Sequence, residues 1–349
     1  MADLFGLSLL AIGAIALTWG FDFVNGFHDS ANSISTIVAT KVLSPAQAVV
    51  MAAFFEFLGV LTVGAVAATM QKGIINQDLV VAGIDSAEPL VALVVAALLG
   101  AVIWDLITWY FSIPTSSSHA LVGGLLGAGG AAIGLSAINW GGTLKVVLFI
   151  FLSPVLGFVI GFVIVALVIR LMRRTHRTSS NRWFRRLQLV SSASYAFAHG
   201  TNDAQKGMGI IMLILVGSTA GWADPVTNED PVFLWVKITC CAALALGTFL
   251  GGWRIVRTMA SRITKLEPYQ GFSAETGAAS MLGLTAYLGI PVSTTHTISG
   301  SIMGVGSAKR ISAVRWGIGR KIVYAWILTI PAAATISGII FLFYLNFLI

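Results

Sequence analysis

The chain has 349 residues and a formal net charge of +7, yet only 10% of its residues are charged and 57% are hydrophobic. A mean hydropathy of +0.89 is too high for a soluble domain and requires lipid as the solvent. The positive residues gather in loops between apolar runs, where membrane topology accounts for them without nucleic acid. Cys240 and Cys241 are adjacent inside an apolar run, so a bridge would strain the backbone and a metal would lack further thiols; they read as packing residues.

The first half opens with an apolar run from Leu4 to Phe23, broken by a polar motif at Asn25 to Asn32 and resumed to Thr40. Met1-Ala2-Asp3 lacks a basic stretch, so this run is expected to be a retained span rather than a cleaved signal. Ser44-Pro45 supplies the cap and first-turn proline of a helix reaching Met70, with Glu56 near its middle. A polar stretch follows, with Lys72 against Asp78, Asp85 and Glu88. Pro89 to Ser112 is the next span, Pro114 begins a glycine-rich one, and Leu144 to Leu171 completes the half. Residues 170–186 then hold seven arginines and no acid, which marks the cytoplasmic side. The second half runs from Leu187 to Trp222, interrupted at Gly200, through a loop with Asp224, Glu229 and Asp230. Val232 to Trp253, Phe272 to Ile290, Pro291 to Gly306 and Ile322 to Leu348 follow, with basic loops at Arg254 to Lys265 and Lys309 to Lys321.

Two motifs occur twice. Gly26-Phe27-His28-Asp29-Ser30-Ala31-Asn32 is echoed by Gly200-Thr201-Asn202-Asp203-Ala204-Gln205-Lys206, and Ile113-Pro114-Thr115-Ser116-Ser117-Ser118-His119 by Ile290-Pro291-Val292-Ser293-Thr294-Thr295-His296. The separation is 85 residues from Asp29 to Pro114 and 88 from Asp203 to Pro291, and Gly100-Ala101, Thr108 and Tyr110 fall opposite Gly277-Ala278, Thr285 and Tyr287. The helix leading to Pro114 leaves an acidic loop and heads inward, whereas the one leading to Pro291 leaves a basic loop and heads outward. The expected fold is therefore an all-α polytopic membrane protein of two inverted-topology repeats, about five spans each, with interrupted helices at the midplane. Residues 1–172 form the first repeat, 173–186 a basic cytoplasmic loop and 187–349 the second, giving about ten crossings with both termini outside. The long segments at Asp29 and Asp203 are expected to be broken, with room for a re-entrant piece.

A Pro-x-Ser-Ser/Thr-Ser/Thr stretch opening an apolar helix presents free backbone N–H groups, the positive end of the helix dipole and hydroxyl donors: Ser116, Ser117 and Ser118 in one half, Ser293, Thr294 and Thr295 in the other. Serine and threonine also cap helices on their own account. Duplication in inverted halves, each beside a buried acid, favours an anion site. Asp29 and Asp203 are retained in the repeat while most neighbours differ, and Glu56 and Glu275 add acids to apolar surroundings. Hard cations take carboxylate, amide and carbonyl oxygens, and a broken helix would free the carbonyls. Acids kept protonated by burial would serve a proton-coupled carrier instead. His119 and His296 fit either a hydrogen bond from the second helical turn or a place in the site. Asp105, opposite Leu282, fits a bond to a neighbouring helix. Lys206 fits three roles: neutralising Asp203, contacting the anion or facing water.

Gly-x-x-Asp-x-x-Asn near the start, His199-Gly-x-Asn202-Asp203 in the middle and the two Pro-x-Ser-Ser/Thr-Ser/Thr-His stretches resemble the duplicated signature of the PiT family of inorganic phosphate transporters. The wording Asn25-Gly26-Phe27-His28-Asp29 with Gln205-Lys206-Gly207 is similar to its bacterial low-affinity members. The resemblance implies cation-coupled phosphate uptake and carries over to Asp29, Asn32, Glu56, Ser116, His199, Asn202, Asp203, Glu275 and Ser293. It places Asp29, Asn32, Glu56, Asp203 and Glu275 around the cation. Asn202 and Gln205 join the hydroxyls around phosphate. His28 stands where the family motif usually has Asn, and the long cytoplasmic loop of animal members is reduced to the arginine-rich turn.

The family includes sodium symporters and proton or metal-phosphate symporters; two retained glutamates favour sodium, because extra fixed oxygens suit a cation shell. Sulfate is the nearest rival substrate, but hydrogen phosphate can donate its proton to a buried carboxylate and sulfate cannot. A passive anion channel and an intramembrane serine hydrolase are the readings from other classes. The hydrolase lacks a set nucleophile and base, and inverted duplication gives it no rationale. No covalent cofactor is expected. The expected partners are inorganic phosphate, Na+ or H+ and the bilayer of a bacterial or archaeal cell membrane, and a homodimer is compatible with this.

Overall fold

The computed structural model describes residues 7–62, 64–84, 86, 88–218 and 232–347; Asp85, Asp224, Glu229, Asp230 and the outermost residues at both chain ends, Met1-Ala2-Asp3 included, lie outside the described residues. Among the described residues the chain is helical, with one isolated bridge, Ile75 to Ile138, and no strand. The first half forms α1 (Leu9–Ala39), α2 (Pro45–Phe57), α3 (Ala65–Lys72), α4 (Gln77–Gly83), α5 (Pro89–Tyr110), α6 (Ser117–Ile133) and α7 (Trp140–Met172). The second forms α8 (Arg177–Gly217), α9 (Leu234–Leu250), α10 (Trp253–Ser261), α11 (Pro268–Tyr287), α12 (Thr294–Ser307) and α13 (Trp316–Phe347). The repeat pairs α1 with α8, α2–α3 with α9–α10, α5 with α11, α6 with α12, and α7 with α13. Both members of the last pair carry an internal proline, Pro154 and Pro331.

Five helices, α1, α5, α6, α7 and α13, are long and apolar enough to cross a membrane alone, and the pairs α2–α3 and α9–α10, bent by 77° and 70°, bring the number to seven. Of the ten expected segments, α8, α11 and α12 fall short: α12 has 14 residues, and α8 and α11 are rich in polar ones. The helix expected from Pro45 to Met70 starts as foreseen, with Ser44 and Gln47 forming a capping box, but after Phe57 it tightens into a 3-10 turn and it bends between Leu61 and Ala65.

The interruptions lie elsewhere than expected. α1 and α8 run unbroken through Asp29 and Asp203, with no proline in either to force a break. The breaks fall at the tips of two helical hairpins. α5 and α11 end in the same Schellman turn: Ile113 N–H bonds Thr108 C=O and Ile290 N–H bonds Thr285 C=O, each at 2.9 Å. Ser112 and Gly289 hold the left-handed position, at φ 60° and 67°. Extended chain then leads into α6 and α12, which start at Ser117 and Thr294, three residues after the prolines.

Contacts sort the helix ends into two groups. Ser8 donates to Glu88, Ser86 and Tyr344 lie 3.2 Å apart, and Gly217 rests on Leu90, so α1, α5, α8 and α13 meet at one end. At the other, Arg185 bonds the Lys41 carbonyl at 2.8 Å and Lys309 approaches Glu267 at 3.4 Å. Hairpin α5–α6 thus enters from the first end and α11–α12 from the basic end, tips facing. Each packs on the last helix of the other half, α6 on α13 and α12 on α7. The halves therefore interlock. Small residues permit this closeness: a Cβ on Gly26 of α1 would lie 2.0 Å from the Leu244 carbonyl of α9, and one on Gly247 2.0 Å from the Phe23 carbonyl.

Two apolar cores result. One holds Phe21, Leu93, Leu121 and Ile211 towards the first end, and the other holds Ile34, Ala274, Ile298 and Ile302 towards the basic end. A polar layer separates them. The charge asymmetry sets a direct test: single cysteines at the exposed positions Asp78 and Ser179, with Cys240 and Cys241 replaced by alanine, are expected to label from opposite membrane faces, Ser179 from the cytoplasm. Labelling of both from one face contradicts the inverted arrangement.

Candidate functional site

The polar layer is built where the two hairpin tips meet α1 and α8. On α1, Thr18, Asp22, Asn25, Asp29, Asn32, Ser33 and Thr36 recur at spacings of three and four and are all buried, a polar stripe along one face. On α8, Gln188, Ser191, Tyr195, His199, Asn202, Asp203 and Lys206 repeat the pattern and are likewise buried. Such groups are out of contact with bulk solvent, so each needs a partner inside the protein, an enclosed water or a ligand.

Asp29 Oδ2 lies 3.1 Å from the Ser117 hydroxyl and 3.4 Å from those of Thr294 and Thr295, so donors from both hairpin tips converge on one carboxylate. The Thr294 hydroxyl is also 3.2 Å from Asp203 Oδ2. The Ser117 hydroxyl reaches Asn25 Oδ1 at 2.5 Å, and Asn32 donates to Thr295 at 2.9 Å. His28 Nδ1 lies 2.7 Å from Asp29 Oδ1, with Nε2 held between Thr108 and Thr115 at 3.2 and 3.3 Å. His28 thus orients the aspartate. Asp29, His199 and Asp203 bring three ligand atoms within 4.8 Å of one another, all buried, a spacing that suits a cation.

Glu56 belongs to this layer through His199, whose Nδ1 is 2.9 Å from Glu56 Oε1, and through Ser33, which donates to the same oxygen at 2.6 Å. Glu275 does not. Its carboxylate accepts from Thr36 at 2.6 Å, Gln188 at 3.0 Å and Ser191 at 2.5 Å. Thr36 is two helical turns beyond Asp29, so Glu275 forms a second polar cluster about 10 Å nearer the basic end. The five residues expected at cation sites therefore fall in two clusters, Asp29, Asn32, Glu56 and Asp203 in one and Glu275 in the other. Because α1 and α8 are unbroken, they release no carbonyls beside the acids.

Of the expected anion donors, Ser117, Thr294 and Thr295 face the acids. Ser118 accepts from the Lys206 ammonium, which also pairs with Asp203. Ser116 and Ser293 serve as N-caps, accepting from His119 N–H at 3.3 Å and His296 N–H at 3.1 Å, so the capping explanation applies to the first member of each triplet. Gln205 turns its oxygen away to cap α3, accepting from Val66 N–H at 2.8 Å and Ala67 N–H at 3.3 Å, while its amide nitrogen has no partner among the described residues. Asn202 is buried with neither amide atom hydrogen-bonded among the described residues. His119 and His296 pack edge to face at 4.4 Å, and His296 lies on Trp326 at 3.7 Å. Both mark the contact between the halves. Asp105 was expected to bond a neighbouring helix, but its carboxylate has no hydrogen bond among the described residues.

Inverted repeats, interlocked hairpins and a buried layer mixing hydroxyl donors with carboxylates are an architecture of membrane transporters. Residues 25–181 and, again, 170–337 match the phosphate transporter family model, PHO4. A probable low-affinity inorganic phosphate transporter of Rhizobium meliloti is 51% identical over 331 residues, covering 95% of each chain. One of the same description from Bacillus subtilis is 41% identical, covering 97% of this chain and 98% of its own. A solved structure described as the sodium-dependent phosphate transporter superposes with a TM-score of 0.84 at 26% identity, covering 96% of this chain and 98% of that one. The chain belongs to the phosphate transporter family.

The dual use of Gln205 can be separated by substitution. Gln205→Ala removes the cap of α3 and is expected to lower stability by about 1 kcal/mol, read as a lower melting temperature of the purified protein. Gln205→Glu keeps the acceptor and is expected to melt nearer to wild type; equal losses would mean that the cap contributes nothing.

Proposed function

We propose that this protein is a sodium-coupled symporter of inorganic phosphate that works by alternating access, with the basic loops in the cytoplasm and both termini outside. The observation that carries this is the convergence of Ser117, Thr294 and Thr295 on Asp29 Oδ2. A hydroxyl has one proton to give. Ser117 divides its proton between Asn25 Oδ1 at 2.5 Å and Asp29 at 3.1 Å, and Thr294 divides its proton between Asp203 at 3.2 Å and Asp29 at 3.4 Å, so while these hydroxyls stay with their internal acceptors they do not serve a ligand. A cation on Asp29 and Asp203 takes up their lone pairs and turns the hydroxyls towards phosphate, and phosphate in turn draws them off the acids and leaves the acids to the cation. Each ligand thereby prepares the site of the other, and the cation offsets the negative charge that phosphate brings into a low dielectric.

Hydrogen phosphate suits the mixed layer better than sulfate, because its remaining proton can be given to a carboxylate. Sodium is favoured over the proton by the clustered carboxylate oxygens and by the likeness to a sodium-dependent phosphate transporter. A hydrolase is disfavoured: among the described residues no triplet hydroxyl bonds a histidine ring, and Ser116 and Ser293 are committed as caps. Ser117, Thr294 and Asp203 are at most 1% exposed, which suits a gated carrier rather than an open channel. Since each hairpin packs on the other half, the unit that rocks combines pieces of both repeats rather than one sequence half moving against the other.

In proteoliposomes, uptake of labelled phosphate is expected to follow an inward sodium gradient at equal pH and to fall to background with choline. Asp203→Asn is expected to abolish the sodium stimulation, because an amide keeps an oxygen ligand and loses the charge that compensates a buried cation. Uptake that is indifferent to choline and collapses with a protonophore would move the coupling from sodium to protons.

A further inference from the structure

Two buried groups near the site have no role in the account above. Lys206 is fully buried on α8, its ammonium bonded to Asp203 and to the Ser118 hydroxyl. Asp22 is fully buried on α1, two turns before Asp29, and neither of its oxygens has a hydrogen-bond partner among the described residues. Its polar neighbour is the Cys240 thiol, a weak donor. The carboxylate presses on Gly207, the residue next to Lys206: a Cβ there would lie 2.2 Å from both oxygens. Asp22 is therefore within reach of the four-carbon stem of Lys206.

We propose that Lys206 is a tethered competitor of the coupling cation for Asp203, and that Asp22 is the position to which its ammonium withdraws when the cation binds; this rests on the cation-coupled reading above. A buried carboxylate with only a thiol, a weak donor, beside it is poorly compensated, and the arriving ammonium satisfies it. An ammonium and a cation cannot both sit close to Asp203, since like charges at that separation repel strongly in a low dielectric. Transfer of the lysine to Asp22 keeps both carboxylates paired as the cation enters. It also withdraws the ammonium from Ser118, freeing that hydroxyl's oxygen at the hairpin tip. The glycine at position 207 is what leaves room for the Asp22 carboxylate beside the lysine.

The test is the apparent sodium affinity of the purified full-length protein, titrated calorimetrically at fixed inorganic phosphate. Lys206→Met, or Lys206→Gln should the first variant not fold, removes the competitor and is expected to tighten sodium binding by about tenfold, within the usual range of site coupling. Asp22→Leu, with Asp22→Asn as the milder substitute, removes the retreat and is expected to weaken it by a similar factor. The double variant is expected to match the lysine variant alone, because Asp22 acts only through Lys206. A weakening by Asp22→Leu that persists without the lysine would overturn the proposal. So would unchanged sodium affinity in Lys206→Met, or a loss of phosphate affinity there at saturating sodium, which would make the lysine a phosphate ligand. A wild type that binds phosphate with no response to sodium would instead sink the cation-coupled reading itself, and the inference with it.

Discussion

Asp29 and Asp203 are buried in a layer that lipid-facing helices close off from water, and an unpaired charge there would cost several kcal/mol. The surrounding structure supplies what the carboxylates need. Asp29 has a histidine on one oxygen and three hydroxyls within 3.4 Å of the other, of which Ser117 is shared with Asn25 and Thr294 with Asp203, and Asp203 also has His199 at 3.3 Å and the Lys206 ammonium. These groups come from α1 itself, α5–α6, α11–α12 and α8, so the need of two acids ties together elements far apart in sequence. The apolar residues divide accordingly into one core on each side of the layer.

Inverted duplication explains how such a layer can be both tight and mobile. Each half contributes one long helix with an aspartate and one hairpin tip with hydroxyls, and inversion makes the two tips meet from opposite ends. Because α6 packs on α13 and α12 on α7, a change at one tip is passed to the last helix of the other half. Backbone contact between α1 and α9 at Gly26 and Gly247 leaves that pair little freedom, so it belongs to the rigid part. The prolines inside α7 and α13, which weaken those helices midway, sit in the helices that grip the hairpins.

Much of this is legible in the sequence because membrane chemistry makes polar residues conspicuous. The duplicated motifs, their order, the charge of the loops and the capped start of α2 at Ser44-Pro45 give the inverted architecture and the acids at its centre. What is not legible depends on tertiary partners. The sequence suggests a broken helix at Asp29 and at Asp203, since a polar run in an apolar segment looks like an interruption, but the side chains are satisfied across the protein and the backbone stays helical. Glu275 looks equivalent to Glu56 and is not, because Gln188, Ser191 and Thr36 claim it two turns away. Gln205 looks like an anion donor, while its oxygen caps α3. Asp22, Ser33, Thr36 and Ser191 were detectable in principle: they continue the three-and-four spacing of the motif residues along α1 and α8, a signal that ends neither at Gly26 nor at Lys206.

The central claim is that phosphate and the cation share one hydrogen-bonded layer and so prepare each other's binding. Calorimetry on the purified protein tests it most directly, by measuring phosphate affinity with and without sodium and sodium affinity with and without phosphate. The account predicts that sodium tightens phosphate binding by about tenfold or more and that phosphate tightens sodium binding by the same factor, as linkage requires. Phosphate affinity that is identical in sodium and in choline would contradict it.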